Sequence, residues 1–383
     1  MALSIRHVIL DRDGVLNVEQ AEGAWVSDWS QWVWLPGARE GLRMLSAVGM
    51  RISVVTNQSG VGRGLVGRSD LDAVHAKMVE EAGQEGGRIH QVFVCPHAPG
   101  DACACRKPQP GLFVKAIEAA GVPAHETIAI GDDLRDLQAA WSAGVTAAIV
   151  RTGKGHRTES IVTGQEVPAY NDLREFATAI LADSVPVASQ NVLIARRIFL
   201  EHRSVVREAA TRLPRLMEQI AEVLQKCLAS GKKILACGNG GSAATAQHFV
   251  AELVGRFRYD RRALPAIALT ADTMVLTALA NDYGYECVFA RQVEALGSPG
   301  DVLLAFSTSG SSPNIVEAGR MARTKGCTVI AFTGEQRGSL VAHADVLLTV
   351  PSKDVARIQE VHDICIHALA EAVEVGLCRI DRP

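Results

Sequence analysis

Ten short apolar runs, separated by segments of helix length and falling into two series of five, limit what this chain can become more than any other feature. The first series reads HVIL (7–10), ISVV (52–55), VFV (92–94), TIAI (127–130) and TAAIV (146–150), with a further strand and helix expected around 167–182. The second reads KILAC (233–237), AIAL (266–269), VLLAFS (302–307), TVIAF (328–332) and VLLTV (346–350), after helical segments from about 192 to 229. Short apolar strands alternating with helices make a parallel sheet covered on both faces. No internal repeat relates the two series. The expectation is therefore α/β, with two doubly wound parallel-sheet domains at 1–184 and 191–383 and a linker in DSVPVASQ (183–190). In such sheets functional residues gather at the carboxyl ends of the strands, which narrows the search for chemistry.

With 48% apolar and 21% charged residues over 383 positions, the chain is long enough for two full cores. A net charge of −3 and the lack of any block of like charges argue against nucleic acid as a partner. The N-terminus runs directly into a strand pattern, and no apolar run reaches membrane-spanning length, so no membrane partner and a cytoplasmic location are expected. Nine cysteines are an odd set for disulfides. Three of them crowd into 95–105, which in a reducing compartment points to metal.

In the first half, Asp11 and Asp13 follow the first strand in DRDGVLN, Thr56 and Asn57 end the second, Lys107 follows the third, and Asp132 with Asp133 closes the fourth. DxDG alone fits a calcium loop or a plain turn as well. The ordered set describes magnesium-assisted phosphoryl transfer. Asp11 attacks phosphorus, Asp13 protonates the leaving oxygen and then activates water, and Asp132 holds magnesium beside Asp11, with Asp13 counted in the metal set. Thr56, Asn57, Arg106 and Lys107 are the phosphate-side binding candidates. Cys95, His97, Cys103 and Cys105 form CxHx5CxC, a four-ligand set suited to structural zinc that fixes the loop presenting Arg106 and Lys107. Trp25, Trp29, Trp32 and Trp34 read as a loop covering the core, ahead of the alternative of a substrate platform.

These motifs resemble the haloacid-dehalogenase superfamily of phosphatases, without a large cap. Within it, DRDG, TNQSG and the zinc loop before CRKP are similar to D-glycero-D-manno-heptose 1,7-bisphosphate 7-phosphatases and to the related histidinol-phosphate phosphatases. The short spacer before CxC occurs in both branches, so loop length does not choose the substrate. Asp133 stands where the heptose enzymes would be expected to carry lysine.

In the second half, ILACGNGGSAATAQHFVAELVGR (234–256) is a strand, a glycine turn and a helix start, a ready cradle for phosphate. On that helix His248 and Glu252 are four apart and share a face. STSGSSPN supplies a second cradle with Ser307, Thr308, Ser309 and Ser312, and RIQEVHDICIH sets Gln359 and His367 on one helix, with His362 or Asp363 between them. CGNGGS, HxxxE, ANDYG, STSGSS and RIQExHxxxxH, in this order, resemble phosphoheptose isomerases of the sugar-isomerase (SIS) fold. The resemblance implies Glu252 and His367 as the acid/base pair, and His248, Glu252, Gln359 and His367 as zinc ligands. It further implies Asn239, Ser242, Ser307, Thr308, Ser309 and Ser312 around phosphate, Asn281 and Asp282 in the sugar site, and a homotetramer. Ala356 departs from the acidic residue expected there. A non-catalytic phosphosugar-binding module is the other reading of this half, but such a module would be expected to have lost Glu252 or His367.

Taken together, the expected substrates are sugar phosphates: sedoheptulose 7-phosphate for isomerisation, and heptose 1,7-bisphosphate for hydrolysis. The alternative is a histidinol-phosphate-like phosphatase fused to another sugar-phosphate isomerase. The first reaction ends on a monophosphate and the second starts from a bisphosphate. GNGGS and STSGSS lack the lysine of a nucleotide-binding P-loop, so a separate heptose 7-phosphate kinase is expected as a pathway partner.

Overall fold

The structure, a computed structural model, describes residues 5–21, 24–164, 166–183 and 185–378, so Ser184 of the expected linker and both chain ends fall outside it. The chain divides into two units, Met1–Leu200 and Glu201–Pro383.

In the first unit six strands run parallel: β1 (His7–Leu10), β2 (Arg51–Asn57), β3 (Gln91–Cys95), β4 (Thr127–Gly131), β5 (Thr146–Val150) and β6 (Ala169–Tyr170). Their order is β3-β2-β1-β4-β5-β6. The direction of winding reverses between β1 and β4, and there the loops splay apart to leave a crevice at the carboxyl edge. Between the strands lie α1 (Ala38–Ala47), α2 (Ser59–Gly62), α3 (Arg68–Gln84), α4 (Gly111–Ala120), α5 (Leu134–Ser142) and α6 (Gly155–Ile161), and α7 (Leu173–Leu181) follows β6. Successive side chains of β1 enter opposite cores. Val8 and Leu10 pack with Leu42 and Leu45 of α1 and Phe176 of α7, while Ile9 packs with Phe113 of α4 and Leu137 of α5. This explains why Val8, Ile9 and Leu10 are apolar without a break, and each such side chain contributes about 1.5–3 kcal/mol on burial. Trp32 is buried, stacked on Trp29 at 5.1 Å and edge-on to Trp34, so these three tryptophans cover the core. Val185 and Ala188, in the segment read as a linker, rest against the cores of this unit.

The second unit carries β7 (Ile234–Gly238), β8 (Ala266–Ala268), β9 (Val302–Phe306), β10 (Thr328–Thr333) and β11 (Val346–Thr349), again parallel, in the order β11-β10-β9-β7-β8. The expected helical stretch before them is two helices, α8 (Gln190–Arg212), which begins in the first unit with Leu193 in one of its cores and ends in the second, and α9 (Pro214–Ala229). Pro214 starts the second at its first turn, where its missing N–H costs nothing. Then follow α10 (Gly241–Val254), α11 (Thr273–Tyr283), α12 (Ala290–Leu296), α13 (Pro313–Thr324) and α14 (Val355–Cys378). Ile234 and Ala236 face α9, α10 and α14; Leu235 and Cys237 face α12 and α13. Winding reverses between β7 and β9, whose outgoing loops are the two phosphate cradles read from the sequence. Among the described residues no helix is long and apolar enough to cross a membrane.

Candidate active sites

At the β1/β4 crevice a cavity of about 530 Å³ is lined by Asp11, Asp13, Thr56, Asn57, Arg106, Lys107, Asp132 and Asp133, all expected, together with Trp25, Arg63, Asp136 and Lys154. Trp25, unlike the other three tryptophans of its loop, therefore belongs to the site, with Arg63 over its ring at 5.7 Å. Lys107 Nζ lies 2.7 Å from Asp11 and 2.6 Å from Asp136, and donates to the Val55 carbonyl. The side chain of Asn57 holds the Lys107 backbone in both directions, accepting from its N–H and donating to its carbonyl. Gly14 has φ +85°, and any Cβ there would run into the Asp132 carboxylate, so the glycine of DRDG lets Asp132 come close.

Asp11, Asp132 and Asp136 place ligand oxygens within 4.8 Å of one another. Burial, and then the Asp136 carboxylate, push Asp11 up to about 7 against the pull of Lys107. Burial, Asp136 and Asp11 push Asp132 up to about 8. Such crowding of hard oxygen donors is what a divalent cation relieves, so the residues present suit magnesium. Asp13, counted in the metal set from sequence, stands outside this cluster, and Asp136 stands in it. Both Asp13 oxygens are engaged: Arg12 and Asn17 donate to Oδ1, and Gln58 to Oδ2 at 2.8 Å. Burial would raise Asp13, but Arg12 and these hydrogen bonds bring it below the usual carboxylate range. Gln58 also donates to Thr56 Oγ1, tying the second strand end to the first. Asp133 caps α5 and pairs with Arg135 at 2.7 Å, with Lys154 Nζ 3.9 Å away. Arg135 and Lys154 thus offset the Asp133 charge, and Lys154 pairs with Glu19 as well.

Cys95, His97, Cys103 and Cys105 converge with donor atoms within 4.8 Å. Their pairwise distances include 3.8 Å for Cys95–Cys103, 3.4 Å for Cys95–Cys105 and 3.2 Å for His97–Cys105. A tetrahedral ion with Zn–S bonds near 2.3 Å sets its sulfurs about 3.8 Å apart, whereas a disulfide needs about 2.05 Å. The set fits zinc. Arg106 next to it donates to the His97 carbonyl, so a metal-fixed loop would fix Arg106 and Lys107 as well.

In the second unit, Gly240 turns at φ +53° between β7 and α10. Asn239 and Asn314 exchange amide hydrogen bonds at 2.9 and 2.8 Å, linking the β7–α10 loop to the start of α13. In the other cradle Ser307 Oγ meets Ser312 Oγ at 3.2 Å, Ser309 Oγ accepts from the Ser311 N–H, and the Thr308 carbonyl accepts from Gly334. Ser242 and Ser307 are buried. On α10, His248 Nε2 is 3.2 Å from Glu252 Oε1; His367 Nε2, from α14, is 3.3 Å from His248 Nε2. These three form the unit's candidate metal group, a His₂Glu set of the kind that suits catalytic zinc. Gln359 stands beside Gly241, where a Cβ would meet its amide atoms at 2.5–2.6 Å. Asn281 and Asp282 are exposed at the end of α11 and bonded to each other. His362 is buried with its Nε2 near the Thr333 carbonyl, and Asp363 accepts from Thr245, so neither joins the trio.

Residues 199–334 match the SIS domain family, and 170 residues are 51% identical to a phosphoheptose isomerase from Shewanella denitrificans, covering 87% of it and 44% of this chain. The chain belongs to the phosphoheptose isomerase family. A solved phosphoheptose isomerase from Neisseria gonorrhoeae is 46% identical (TM-score 0.45), with 98% of it and 48% of this chain covered. The family accounts for the second unit alone. Residues 104–176 match the HAD-hydrolase-like family. The D,D-heptose 1,7-bisphosphate phosphatase from B. bronchiseptica, solved with magnesium and phosphate, is 37% identical (TM-score 0.45), with 99% of it and 47% of this chain covered.

Arg63, Asp136, Lys154, Gln58 and Asn314 stand at the sites without having been expected there from the sequence. Asp136 had a signal, since it is one helical turn beyond Asp132–Asp133 on the helix they open. Gln58 and Asn314 lie inside TNQSG and STSGSSPN, but nothing in those motifs sets them apart from their neighbours.

Proposed function

We propose that the chain is a bifunctional enzyme of heptose biosynthesis. The isomerase domain, 191–383, converts sedoheptulose 7-phosphate to D-glycero-D-manno-heptose 7-phosphate. The phosphatase domain, 1–184, removes the 7-phosphate of D-glycero-D-manno-heptose 1,7-bisphosphate. The observation that carries the first activity is the meeting of Glu252, His248 and His367 from two helices beside a phosphate cradle. For the second it is Lys107 set between Asp11 and Asp136 in a polar cavity.

In isomerisation Glu252 takes the proton from C1 as the enediolate forms, and His367 moves the proton between the sugar oxygens. The C1 proton equivalent then returns to C2, leaving the carbonyl at C1. Zinc held by His248, Glu252 and His367, with Gln359 as a further candidate, would stabilise the negative oxygen. Ser242, Ser307, Thr308, Ser309 and Ser312 receive the phosphate, with Asn239 bracing the cradle; Asn281 and Asp282 are proposed for the sugar.

In hydrolysis an Asp11 oxygen bonds to phosphorus as the bond to the C7 oxygen breaks, and that oxygen takes a proton from Asp13. Water then gives a proton to Asp13 and displaces Asp11. Asp13 is held as a carboxylate before substrate arrives, and takes up a proton from solvent as the phosphate dianion binds beside it, which is the proton it then gives to the leaving oxygen. Lys107, Thr56, Asn57 and Arg106 bind the transferring group, and magnesium held by Asp11, Asp132 and Asp136 would neutralise its oxygens.

The substrate of the phosphatase follows from the fusion, because a heptose 7-phosphate made by one half is one phosphorylation short of the bisphosphate. This agrees with the name of the B. bronchiseptica relative. A separate kinase supplies that step, and the enzyme works in the cytoplasm as a tetramer assembled by its isomerase domains. Purified protein given sedoheptulose 7-phosphate should yield heptose 7-phosphate, and with ATP and magnesium added still no heptose 1-phosphate. It should release phosphate from heptose 1,7-bisphosphate faster than from histidinol phosphate. A preference for histidinol phosphate would overturn the substrate assignment, and heptose 1-phosphate formed without added kinase would overturn the division of labour.

A further inference from the structure

Close behind the isomerase trio lies a buried ion pair that the proposed reaction does not use. Glu374 on α14 is fully buried, and the Arg261 side chain is 3% exposed. Glu374 Oε1 accepts from the Phe257 N–H at 2.8 Å and Arg261 Nε at 3.0 Å; Oε2 accepts from the Arg258 and Tyr259 N–H groups. The remaining Arg261 donors reach the carbonyls of Glu252 (2.7 Å), Leu253 (2.8 Å), Gly255 and Arg262. Two of those carbonyls, Glu252 and Leu253, belong to the last turn of α10, where carbonyls have no partner within the helix.

Two features tie this knot to the reacting groups. Arg261 grips the main chain of Glu252 itself. Phe257, whose N–H is held by Glu374, lays its ring on the His367 imidazole at 5.5 Å and 19°. His367 and Glu374 are seven apart on α14, two turns along one face. A closed path therefore runs from Glu252 through Arg261, Glu374 and Phe257 to His367. Replacing a buried pair by apolar side chains often costs a protein no stability, so cohesion alone is a weak reason for charges here. What the charges add is direction, since five donors on a planar fork fix the loop far more tightly than apolar contact does.

We propose that Glu374, Arg261 and Phe257 are positioning residues that set the plane of the His367 ring against Glu252 and His248. This rests on the isomerase reading of the site.

Three variants test it: Phe257→Leu, which keeps the backbone hydrogen bond and loses the ring; Phe257→Tyr, which keeps the ring; and Glu374→Gln. Phe257→Leu should lower kcat for isomerisation roughly tenfold with KM within about twofold, a misplaced acid rather than weaker binding. Phe257→Tyr should restore the rate. Glu374→Gln should act in the same direction, and the Phe257→Leu/Glu374→Gln double variant should be no slower than its slower parent, because both act through one ring. The His367 Cε1–H resonance, ring-current shifted in the wild type, should move in Phe257→Leu and stay in Phe257→Tyr. If Glu374→Gln does not fold, the two Phe257 variants still decide the matter. An active wild type with Phe257→Leu unchanged in kcat, or with multiplied losses in the double variant, overturns the positioning role alone. A wild type without isomerase activity overturns it together with the isomerase reading.

Discussion

The Asp11 carboxylate touches a lysine, and through it a second carboxylate, so its role can be separated from its charge. Asp11→Asn keeps the shape but cannot attack phosphorus; phosphate release should fall at least a thousandfold by malachite green assay, on the order of losing an essential nucleophile, while isomerisation is unchanged. Glu252→Gln should do the reverse, with sedoheptulose 7-phosphate still bound in a calorimetric titration. Loss of both activities in either folded variant would contradict two separate sites. Asp133 makes a different prediction. Burial would raise it, but the Arg135 hydrogen bonds bring it down to about 2, below its ordinary 3.8. A lowered carboxylate stabilises the fold above its unfolded value, and that contribution fades as pH falls from about 4 toward 2. Asp133→Asn, which keeps the cap but loses the charge on Arg135, should therefore cost about 1 kcal/mol in urea unfolding at pH 7, and the gap to wild type should close as pH falls to 2. Single residues also mark where sequence stops informing. Asp11, Glu252 and His367 were readable because their chemistry sits in motifs; Gln58 and Asn314 act through partners 45 and 75 positions away, and nothing local announces that.

At the scale of elements, the strands were legible because double burial leaves an unbroken apolar run, and the cradles because glycine is required where backbone meets backbone or ligand. Two glycines put this to opposite uses. Gly310 has φ +66°, and a Cβ there would strike the Arg337 carbonyl. Gly310→Ala should misfold the β9–α13 loop, with a loss of roughly 2 kcal/mol or more by thermal melting. At Gly241 the nearest atoms to such a Cβ are those at the movable end of Gln359. Gly241→Ala should melt within a few degrees of wild type yet lose isomerase activity as Gln359 is pushed from its place, and full activity would remove Gln359 from the site. What the sequence reading could not supply was the aim of side chains within an element: Asp13 and Asp136 flank the same crevice, and only the Arg12, Asn17 and Gln58 contacts turn the first from the metal cluster.

For the whole molecule, three buried histidines set the response to acid. His7, His75 and His362 are each lowered to about 4, chiefly by burial. The unfolded chain takes up protons near 6.5, so each histidine stabilises the fold fully above that value and loses its contribution as pH falls toward 4. At about 1.4 kcal/mol per unit, each is worth roughly 3 kcal/mol. Melting temperatures should drop steeply between pH 6.5 and 4, and His362→Gln, which cannot charge, should flatten that slope for the second unit. A slope unaltered in a folded His362→Gln protein would contradict this. The tetramer is checked by light scattering, where a fully active monomer would refute it. Finally, among the described residues the two cores of Met1–Leu200 share no residue with the two cores of Glu201–Pro383, although α8 crosses that boundary, with Leu193 in a core of the first unit and Ala209 in a core of the second. In a cell this predicts genetic complementation: one copy of the gene broken at Leu10 and another broken at Leu304 should together restore a pathway that neither supports alone.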